Sequence, residues 1–437
     1  MPKQPWPAPR AAHAVRATVA LPGSKSLTNR FLVLAALADG PSRISRPLRA
    51  RDTDLMAGAL RAMGAGITDD GGDWLITPAP LHGGVIDCGL AGTVMRFLPS
   101  VAALADGAVT FDGDDRARDR PMRTLLDGLR QAGVVVEDAG RGRMPFTVRG
   151  SGSVAGGLVE VDASDSSQFV SGLLLAAARF ERGIELVHDG TRAVPSLPHV
   201  EMTVEVMRAA GIDVTTTGPA SWLVRPGRIG ARDVTVEPDL SNAAPFLAAA
   251  LVSGGEVSIP GWPASTTQAG DQLRGLLTRM GAQVSIAAGT LTVAGDGTIH
   301  GITADLRDVT ELATVIAALA ALADSPSTLT GLAHTRGHET DRVAALATEL
   351  IGVGCEVVEE QDSLTISPRP LHGATWRAYA DHRMATAGAL LGLAVDGISV
   401  DDIAATTKTL PDFTGMWSAM LDGTDQRRHG SALSPSG

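Results

Sequence analysis

The chain has 437 residues, enough for two domains with sizeable cores. Hydrophobic residues make up 44% of it and aromatic residues only 3%, which indicates globular cores built mainly from Ala, Val, Leu and Ile. The net charge of −11 and the scarcity of aromatic side chains exclude the basic, stacking surface typical of a nucleic-acid-binding protein, but small anionic substrates remain compatible with a local basic pocket.

The N-terminal segment carries no targeting pattern. Residues 1–10 lack an apolar core, so we expect no secretory signal. Apolar stretches such as residues 313–323 are too short to cross a bilayer, so no membrane partner is expected. The two cysteines, Cys88 and Cys355, form no CxxC pair, which favours buried thiols and a location in the reducing cytoplasm.

An Ala/Leu-rich helix followed by a turn and a β-branched strand recurs six times along the chain. The steps between successive turns are 67 to 76 residues long. The turns are anchored at Gly40, Gly107, Gly183, Gly255, Ser327 and Gly397. A repeat at this period predicts an α/β architecture assembled from six similar units of about 70 residues.

A second marker, a helix that ends in glycine before a strand, interleaves with the first. Glycine at a helix C-terminus supplies the left-handed turn that the following strand needs. The marker glycines are Gly64, Gly133, Gly211, Gly281 and Gly354. Because two markers keep the same phase, we predict two helices and several strands in each unit, and two domains of three units that divide within residues 225–238.

Polar clusters mark the predicted starts of these helices. Asp239, Ser241 and Thr266 are ordinary helix caps. Cations at helix starts oppose the helix dipole, and they cost stability unless an anion compensates them. The cations at or near such starts are Lys25, Arg30, Arg96, Arg120, Arg342, Arg383 and Lys408. We interpret them as a distributed site for a pair of polyanionic substrates.

Lysine is rare in this chain. Of 37 basic residues only Lys3, Lys25 and Lys408 are lysines. A lysine kept against so much arginine suggests a need for a compact ammonium rather than a planar guanidinium, although chance survival on the surface is the alternative. Lys3 lies in a Pro-rich start for which we expect disorder.

Two short motifs resemble familiar sites but lack a required residue. Gly23-Ser-Lys-Ser26 has Ser24 where a P-loop has glycine, so we reject nucleotide triphosphate binding. The segment from His338 to Arg342 begins like HExxH, but Arg342 occupies the place of the second histidine, so no zinc site is expected. On a helix this segment would place His338, Asp341 and Arg342 along one side, which is more often a solvated charged face.

Taken together, the motifs resemble the 5-enolpyruvylshikimate-3-phosphate (EPSP) synthase family of enolpyruvyl transferases, from about residue 17 to residue 417. The residues that carry the resemblance are Pro22-Gly-Ser-Lys-Ser-Leu-Thr-Asn-Arg30, Ala91-Gly-Thr-Val-Met-Arg96, Arg120-Pro121, Ser166-Ser-Gln-Phe169, Glu339-Thr-Asp-Arg342, Asp381-His-Arg-Met384 and Lys408-Thr-Leu-Pro411. Seven ordered motifs in phase with six repeats make a specific match.

The resemblance implies a two-globe inside-out α/β barrel in which each globe contains three βαβαββ units and the globes close like jaws over the substrates. It places residues 24–237 in the N-terminal globe and residues 1–23 with 238–423 in the C-terminal globe, with hinges at residues 22–25 and 237–240. Lys25 and Lys408 then belong to different globes. We expect disorder in the tail at 424–437.

The resemblance also implies the reaction: transfer of the enolpyruvyl group of phosphoenolpyruvate to the 5-hydroxyl of shikimate-3-phosphate, with release of phosphate, in the shikimate pathway to aromatic amino acids. It implies a monomer that uses no metal and no cofactor. Inhibition by glyphosate in competition with phosphoenolpyruvate is expected, because Gly92 leaves room where a bulkier residue would not.

Substrate contacts follow from the resemblance residue by residue. Those implied for shikimate-3-phosphate are its carboxylate on Ser26 and Arg30, its phosphate on Ser166, Ser167 and Ser196, and further contacts from Lys25, Gln168, Glu311 and His338. Those implied for phosphoenolpyruvate are its phosphate on Lys25, Arg120 and Gln168 beside Gly92, its carboxylate on Arg342 and Arg383, and its departing phosphate on Lys408.

Two glutamates are the candidates for the proton transfers that this chemistry needs. Glu311 would take the hydroxyl proton and Glu339 would protonate the methylene carbon, which gives a tetrahedral intermediate that collapses with loss of phosphate. Lys25 and Lys408 complete the implied catalytic set. Cationic surroundings would stabilise the developing charge.

The chain departs from the better-known enterobacterial and plant pattern in its fine contacts. Glu311 replaces Asp, and His338 replaces Lys beside the acid, where a neutral imidazole would weaken binding of the shikimate phosphate at higher pH. Other departures are Leu90 for Asn, Phe97 for Pro and His199 for Tyr.

Two alternatives remain open at this point. One is the sister enolpyruvyl transferase that acts on UDP-N-acetylglucosamine, although most of its members have a cysteine in the segment corresponding to residues 112–121, which has none here. The other is a non-catalytic or nucleic-acid-end-processing protein of the same repeat architecture, which the negative charge and the pair of Glu311 and Glu339 disfavour.

Overall fold

The computed structural model describes residues 4–423, so Lys3 and the tail for which disorder is expected lie outside the described residues. Contacts divide the chain into two compact units. The continuous unit is Gly23–Glu237, and the split unit comprises the segment that ends at Pro22 and the segment that begins at Pro238.

The continuous unit alternates helices with short strands. Its helices are α1 (Lys25–Ala36), α2 (Arg51–Ala62), α3 (Gly92–Ala102), α4 (Asp115–Arg118), α5 (Arg123–Gln131), α6 (Ser167–Leu175) and α7 (Pro198–Ala209), with a 3-10 helix at Ala177–Arg179. The first two strands of the chain, β1 (Trp6–Pro7) and β2 (Arg16–Thr18), belong to the split unit. The strands of the continuous unit are β3 (Ser42–Ser45), β4 (Gly66–Asp70), β5 (Asp73–Thr77), β6 (His82–Asp87), β7 (Asp106–Asp112), β8 (Val135–Glu137), β9 (Phe146–Ser151), β10 (Gly157–Val161), β11 (Ile184–His188), β12 (Val214–Gly218), β13 (Ser221–Val224) and β14 (Val234–Thr235).

The sheets of this unit share one strand order, a parallel pair followed by an antiparallel hairpin. The orders are β6-β7-β9-β8, β10-β11-β13-β12 and β14-β3-β5-β4. In the last of these, Val234 pairs in parallel with Ile44, so the end of the unit supplies the strand that the first repeat lacks. The repeats are therefore joined into a closed set of three.

The split unit repeats this design with strands taken from both of its segments. Its helices are α8 (Ala244–Ser253), α9 (Leu273–Arg279), α10 (Ala313–Ala321), α11 (Arg342–Gly352), α12 (His382–Gly392) and α13 (Phe413–Leu421), with 3-10 helices at Ala269–Gln272, Thr310–Leu312, Ala333–Gly337 and Ile403–Lys408. Its remaining strands are β15 (Glu256–Pro260), β16 (Gln283–Ala287), β17 (Thr290–Ala294), β18 (Thr303–Asp305), β19 (Ser327–Thr330), β20 (Glu356–Glu359), β21 (Leu364–Ser367), β22 (Thr375–Trp376) and β23 (Ser399–Val400).

The N-terminal strands complete two sheets of the split unit. The orders are β2-β15-β17-β16, β18-β19-β21-β20 and β1-β23-β22. In the described part of the chain the last sheet is reduced to three strands, because β1 alone, antiparallel to β23, stands where the other sheets have a hairpin. The predicted α/β architecture of six repeats, three in each unit, is confirmed.

Each unit has a separate apolar core around helices that are buried on all sides. Every residue of α3 is buried, and so is every residue of α10. Their sequences are apolar apart from Thr93, Arg96 and Ser100 in α3 and Thr314 in α10, as expected of helices enclosed by other elements. Burial of these helices fixes their N-terminal residues in place, which is how the fold positions the predicted site.

The five predicted glycine helix ends are confirmed. Their φ angles are 113° at Gly64, 91° at Gly133, 79° at Gly211, 108° at Gly281 and 100° at Gly354. These angles are strained for residues with a Cβ. Of the helices described between residues 4 and 423, none is long and apolar enough to cross a membrane.

One predicted helix start is confirmed and another is wrong. Arg342 is the first residue of α11, and Asp341 caps that helix by accepting a hydrogen bond from the backbone N–H of Ala344, so His338 lies outside it. Lys408 is the last residue of a 3-10 helix rather than the start of α13. Pro411 disfavours a helical conformation at the residue before it, so α13 begins after the cap at Asp412.

Candidate functional site

In the continuous unit, Lys25 is the first residue of α1, and Ser24 is the cap of that helix. Nζ of Lys25 lies 3.3 Å from Oδ2 of Asp52 on α2. The Lys25 side chain is 19% exposed, whereas that of Asp52 is 1% exposed. A buried carboxylate therefore holds the ammonium at the surface of the unit, and Asp52 was not selected from the sequence as a site residue.

Arg30 is deeply buried on α1, one turn after Ser26. Its guanidinium donates to the Ser26 carbonyl, 2.9 Å away, to Oγ1 of Thr203 and to the His199 carbonyl, both 2.8 Å away. Burial lowers the pKa of Arg30 to about 9, so it remains a cation at neutral pH. His199, where the family pattern has Tyr, thus contributes its backbone to this arginine.

Gly92, Arg120 and Gln168 are brought together at the start of α3. A Cβ on Gly92 would lie 3.1 Å from both terminal nitrogens of Arg120 and 3.1 Å from Oε1 of Gln168. The same Gln168 oxygen accepts a hydrogen bond of 2.8 Å from Arg96. Both guanidiniums are buried. Arg96 therefore fixes the amide orientation of Gln168, a role that sequence spacing did not reveal.

The predicted serines lie at the starts of α6 and α7. Ser166 caps α6 by accepting a hydrogen bond of 3.2 Å from the Gln168 backbone, and Ser167 is the first, buried residue of that helix. Ser196 precedes α7 with a φ of 49°. Left-handed backbone at a residue other than glycine is strained and is common at functional sites.

In the split unit, Arg342 and Asp381 form a buried bidentate ion pair. Nε of Arg342 donates to one Asp381 oxygen at 2.7 Å, and Nη2 lies 3.3 Å from the other. Arg342 is the first residue of α11 and Asp381 is the cap of α12. Two parallel donors fix the guanidinium plane. Asp381 belongs to a motif that carries the resemblance but was not predicted as a site residue.

Glu339 joins the two predicted cations of this unit. One of its oxygens accepts a hydrogen bond of 3.1 Å from Arg342, and the other accepts one from the Lys408 ammonium. Nη1 of Arg342 lies 3.2 Å from Nδ1 of His338. Burial by itself would lower the pKa of Arg342, but Asp381 and Glu339 together raise it.

Arg383 and Glu311 meet beside this cluster. Arg383 donates to the Glu311 carbonyl at 2.8 Å. Burial and the nearby charge of Arg342 lower the pKa of Arg383. Glu311 itself lies in the 3-10 helix before α10.

His334 lies beside this cluster, although no sequence pattern pointed to it. Its Nε2 lies 3.2 Å from Oγ1 of Thr310, and its ring meets that of His338 edge-on with 5.7 Å between the centroids. Burial lowers the pKa of His334 to about 4, so its imidazole is neutral at physiological pH.

The structure shows how the helix-start cations are compensated within the chain. Lys25, Arg342 and Lys408 face the carboxylates of Asp52, Asp381 and Glu339. In contrast, Arg30 and Arg120 donate to carbonyl and hydroxyl oxygens. A glutamate carboxylate held between an ammonium and a guanidinium, next to a second arginine, places a group that can exchange a proton in cationic surroundings that suit an anionic ligand.

Among residues 4–423, no group of three or more His, Cys, Asp or Glu side chains is arranged to hold a metal ion.

Comparisons with known proteins agree over nearly the whole chain. The family model described as EPSP synthase (3-phosphoshikimate 1-carboxyvinyltransferase) matches residues 9–417. A 3-phosphoshikimate 1-carboxyvinyltransferase from Kocuria rhizophila is 57% identical, over 95% of this chain and 96% of that protein.

Solved structures match the fold. An EPSP synthase from Acinetobacter baumannii is 25% identical with a TM-score of 0.75, over 96% of this chain and 98% of the other. The enolpyruvyl transferase NikO from Streptomyces tendae has a TM-score of 0.73 at 18% identity, over 94% and 96% of the two chains. At 18% identity, the similarity to NikO shows a shared fold and nothing more.

Proposed function

The chain belongs to the EPSP synthase (3-phosphoshikimate 1-carboxyvinyltransferase) family, and on this premise we propose which of its residues bind and transform the two substrates. The activity is transfer of the enolpyruvyl group of phosphoenolpyruvate to the 5-hydroxyl of shikimate-3-phosphate with release of phosphate. The transferase acting on UDP-N-acetylglucosamine and the non-catalytic alternative are thereby set aside.

For shikimate-3-phosphate, the proposed binding residues are Ser26 and Arg30 toward its carboxylate and Ser166, Ser167 and Ser196 toward its phosphate. The positions of Ser166 and Ser167 support the assignment of the phosphate, because both serines lie at the N-terminus of α6, where N–H groups and the helix dipole favour an anion. Further proposed contacts to this substrate are Lys25, Gln168, Glu311 and His338.

For phosphoenolpyruvate, we assign the phosphate to Lys25, Arg120 and Gln168, and the carboxylate to Arg342 and Arg383. The close approach of the Arg120 guanidinium and the Gln168 amide to Gly92 supports the first assignment, because the missing side chain leaves space beside the helix start in which the arginine can donate to an anion. Two guanidiniums, one already held in plane by Asp381, suit a bidentate carboxylate contact.

For the chemistry, Glu311 is the proposed base for the substrate hydroxyl and Glu339 the proposed acid for the methylene carbon. Lys25 and Lys408 complete the catalytic set, and the reaction proceeds by addition and elimination through a tetrahedral intermediate. The observation that carries this proposal is the hydrogen bonding of one carboxylate, Glu339, to both Arg342 and Lys408. Fixed cations around it stabilise the charge that changes during proton transfer.

Phosphate release from the two substrates tests these assignments in purified variants. Arg342→Lys keeps the charge but loses the planar pair of donors, so the KM for phosphoenolpyruvate should rise about tenfold or more, with a smaller change for shikimate-3-phosphate. Arg274→Lys is the matched control, since Arg274 pairs with Asp271 in the same unit. An unchanged KM in Arg342→Lys would remove Arg342 from the carboxylate site.

Lys25→Arg tests the need for an ammonium. A guanidinium is larger and planar, so it should not fit between Asp52 and the substrate phosphate, and we expect about a hundredfold loss of kcat/KM. Arg43→Lys, a charge-conserving change at an exposed ion pair with Asp70, is the control. Near-normal turnover of Lys25→Arg would refute the role of the ammonium.

We also propose that residues 24–237 form one domain and residues 1–23 with 238–423 the other, that the protein is a monomer and that it acts in the cytoplasm without a cofactor. The division of contacts at Pro22 and Pro238 supports the first point, and the buried, unpaired thiols of Cys88 and Cys355 support the compartment. Mass measurement in solution tests the oligomeric state.

A further inference from the structure

A strained turn precedes α12. Tyr379 and Ala380 have φ angles of 55° and 56°, so two consecutive residues other than glycine adopt left-handed backbone. Such a conformation persists only where the surrounding structure enforces it. The next residue is Asp381, which forms an ion pair with Arg342 and also accepts a hydrogen bond of 2.9 Å from the Arg383 backbone. The turn therefore sets the position of the carboxylate that pairs with the Arg342 guanidinium and accepts from the Arg383 backbone.

One buried carboxylate, Glu349 on α11, holds this turn in place. Its Oε1 accepts hydrogen bonds from the Tyr379 hydroxyl at 2.6 Å and from Nε of Arg377 at 3.0 Å. Its Oε2 accepts one from the Arg377 backbone N–H at 3.0 Å. Burial and the Glu349 hydrogen bond raise the pKa of Tyr379 to about 12, so the hydroxyl keeps its proton and remains a donor.

Arg342 and Glu349 are seven residues apart on α11. Seven residues are close to two helical turns, so both side chains project from the same face. Arg342 donates to the Asp381 carboxylate, and the Glu349 carboxylate accepts hydrogen bonds from Arg377 and Tyr379. One face of α11 thus holds the segment from Arg377 to Asp381 at two points, on either side of the strained residue Ala380.

We propose that Glu349 and Tyr379 are positioning residues for phosphoenolpyruvate binding: their hydrogen bond enforces the strained turn that sets Asp381, and through it Arg342 and Arg383. This inference rests on the proposed function, which assigns the two arginines to the substrate carboxylate. Neither Glu349 nor Tyr379 is among the proposed substrate contacts. Loss of their hydrogen bond should therefore weaken binding of phosphoenolpyruvate and leave shikimate-3-phosphate largely unaffected.

The hydrogen bond itself has a direct probe, because Tyr379 is the only tyrosine in the chain. Protein labelled with ¹³Cζ-tyrosine gives one tyrosine resonance, which reports the environment of this hydroxyl. Glu349→Gln should shift the resonance, whereas Asp271→Asn should not. Asp271 is a matched control because it accepts hydrogen bonds from Trp262 and Arg274 elsewhere in the split unit. An unshifted resonance in Glu349→Gln overturns the proposal whatever the substrate assignments.

Steady-state kinetics then separate positioning from general stability. Tyr379→Phe and Glu349→Gln should each raise the KM for phosphoenolpyruvate about tenfold and change that for shikimate-3-phosphate less than about twofold. The double variant should be no worse than the more affected single variant, because both changes act on the same hydrogen bond between Glu349 and Tyr379. Equal effects on both KM values, or effects matched by Asp271→Asn, overturn the positioning role.

Rescue by glycine tests the strained turn. Glycine adopts positive φ without strain, so Ala380→Gly should restore most of the phosphoenolpyruvate affinity in the Tyr379→Phe background. Failure of this rescue contradicts the role given to the turn. Arg342→Lys, measured in parallel, separates failure of this inference from failure of the substrate assignment. A raised KM for phosphoenolpyruvate in Arg342→Lys but not in Tyr379→Phe overturns this inference alone. An unchanged KM in Arg342→Lys overturns the substrate assignment and this inference with it.

Discussion

At the scale of single residues, Lys25 and Lys408 bring an ammonium to a carboxylate, whereas Arg342 has its guanidinium plane fixed by two contacts. Lys25 pairs with the carboxylate of Asp52, and Lys408 pairs with that of Glu339. Arg342 instead donates in parallel to both oxygens of Asp381. This difference follows from the shapes of the two cations, and it gives physical content to the rarity of lysine.

Gly92 offers the sharpest test of packing at this scale. A methyl group there would press on Arg120 and Gln168 at 3.1 Å, which is closer than ordinary van der Waals contact. Overpacking of this kind costs about 1–3 kcal/mol. We therefore expect Gly92→Ala to raise the KM for phosphoenolpyruvate by roughly tenfold and to weaken competitive inhibition by glyphosate at least as much. Initial rates at several inhibitor concentrations measure both.

Gly58→Ala is the control for this prediction. Gly58 lies within α2, and a Cβ there would meet no atom within 4 Å. The change should leave both kinetic constants unaltered and stabilise the helix by about 0.5–1 kcal/mol. Stronger glyphosate inhibition in Gly92→Ala than in the parent would contradict the proposed crowding.

At the scale of elements, the helix starts are where stability and binding coincide. Ser166 caps α6 by accepting a hydrogen bond from the Gln168 backbone, which leaves its hydroxyl proton available for donation. The same side chain can therefore hold a helix end and a substrate phosphate. These two roles predict separable effects in different substitutions.

Ser166→Ala should lose both roles. We expect about 1 kcal/mol less stability from the lost cap and roughly a tenfold higher KM for shikimate-3-phosphate. Ser166→Gly should keep stability within a few tenths of a kcal/mol, roughly, because glycine is a tolerable cap, but should show the same rise in KM. Urea unfolding and initial rates measure the two effects.

A cap that is not among the proposed substrate contacts provides the comparison. Asp412 caps α13 by accepting a hydrogen bond from the backbone of Gly415. Asp412→Ala should lower stability by about 1 kcal/mol without changing either KM. A normal KM for shikimate-3-phosphate in Ser166→Gly would mean that the hydroxyl does not bind the phosphate.

The elements were predictable where local physics decides them. Gly64 and Gly281 end helices because only glycine adopts their φ angles without strain, and this leaves a trace in the sequence. The start of α13 was not predictable from the position of Lys408, because a 3-10 helix and Pro411 intervene. The left-handed backbone at Ser196 and Ala380 was not predictable, because neither residue is a glycine. The contact beside Ala380, the hydrogen bond from Tyr379 to Glu349, joins residues 30 positions apart in the sequence.

In the candidate site too, some residues could be predicted from local sequence and others could not. Its cations could be selected from the sequence, since a charge at a helix start is conspicuous. Their partners could not, because Asp52 and Asp381 resemble ordinary helix-start carboxylates until the fold brings them to Lys25 and Arg342. The hydrogen bond from Arg96 to Gln168 joins different repeats and likewise needed the structure.

At the scale of the whole molecule, the chain builds two cores that share no residues. The core of the continuous unit is drawn from residues 27–236, whereas that of the split unit combines residues 15–21 with residues 240–420. Strands β1 and β2 complete sheets whose other strands come from the second segment of the split unit, within residues 375–400 for β1 and 256–294 for β2. The first unit is therefore self-contained in sequence, and the second depends on both of its segments.

This difference predicts unequal behaviour of fragments. Residues 23–237 should fold cooperatively when expressed alone, because their sheets and core are complete within that range. Residues 238–423 should not, because they lack β1, β2 and the buried side chains of Val15, Val19 and Leu21. Burial of one such side chain contributes roughly 1.5–3 kcal/mol. Three of them approach the 5–15 kcal/mol that is about the total stability of a typical domain.

Adding a peptide of residues 4–22 to the fragment 238–423 should restore a cooperative urea transition, followed by circular dichroism. The control is a peptide in which Val19 and Leu21, both buried, are replaced by Ser. It keeps the backbone that pairs with β15 but loses the apolar contacts, so it should restore little. A cooperative transition of 238–423 without any peptide would show that the N-terminal strands are dispensable, because the remaining core would then outweigh the ordering entropy of that unit by itself.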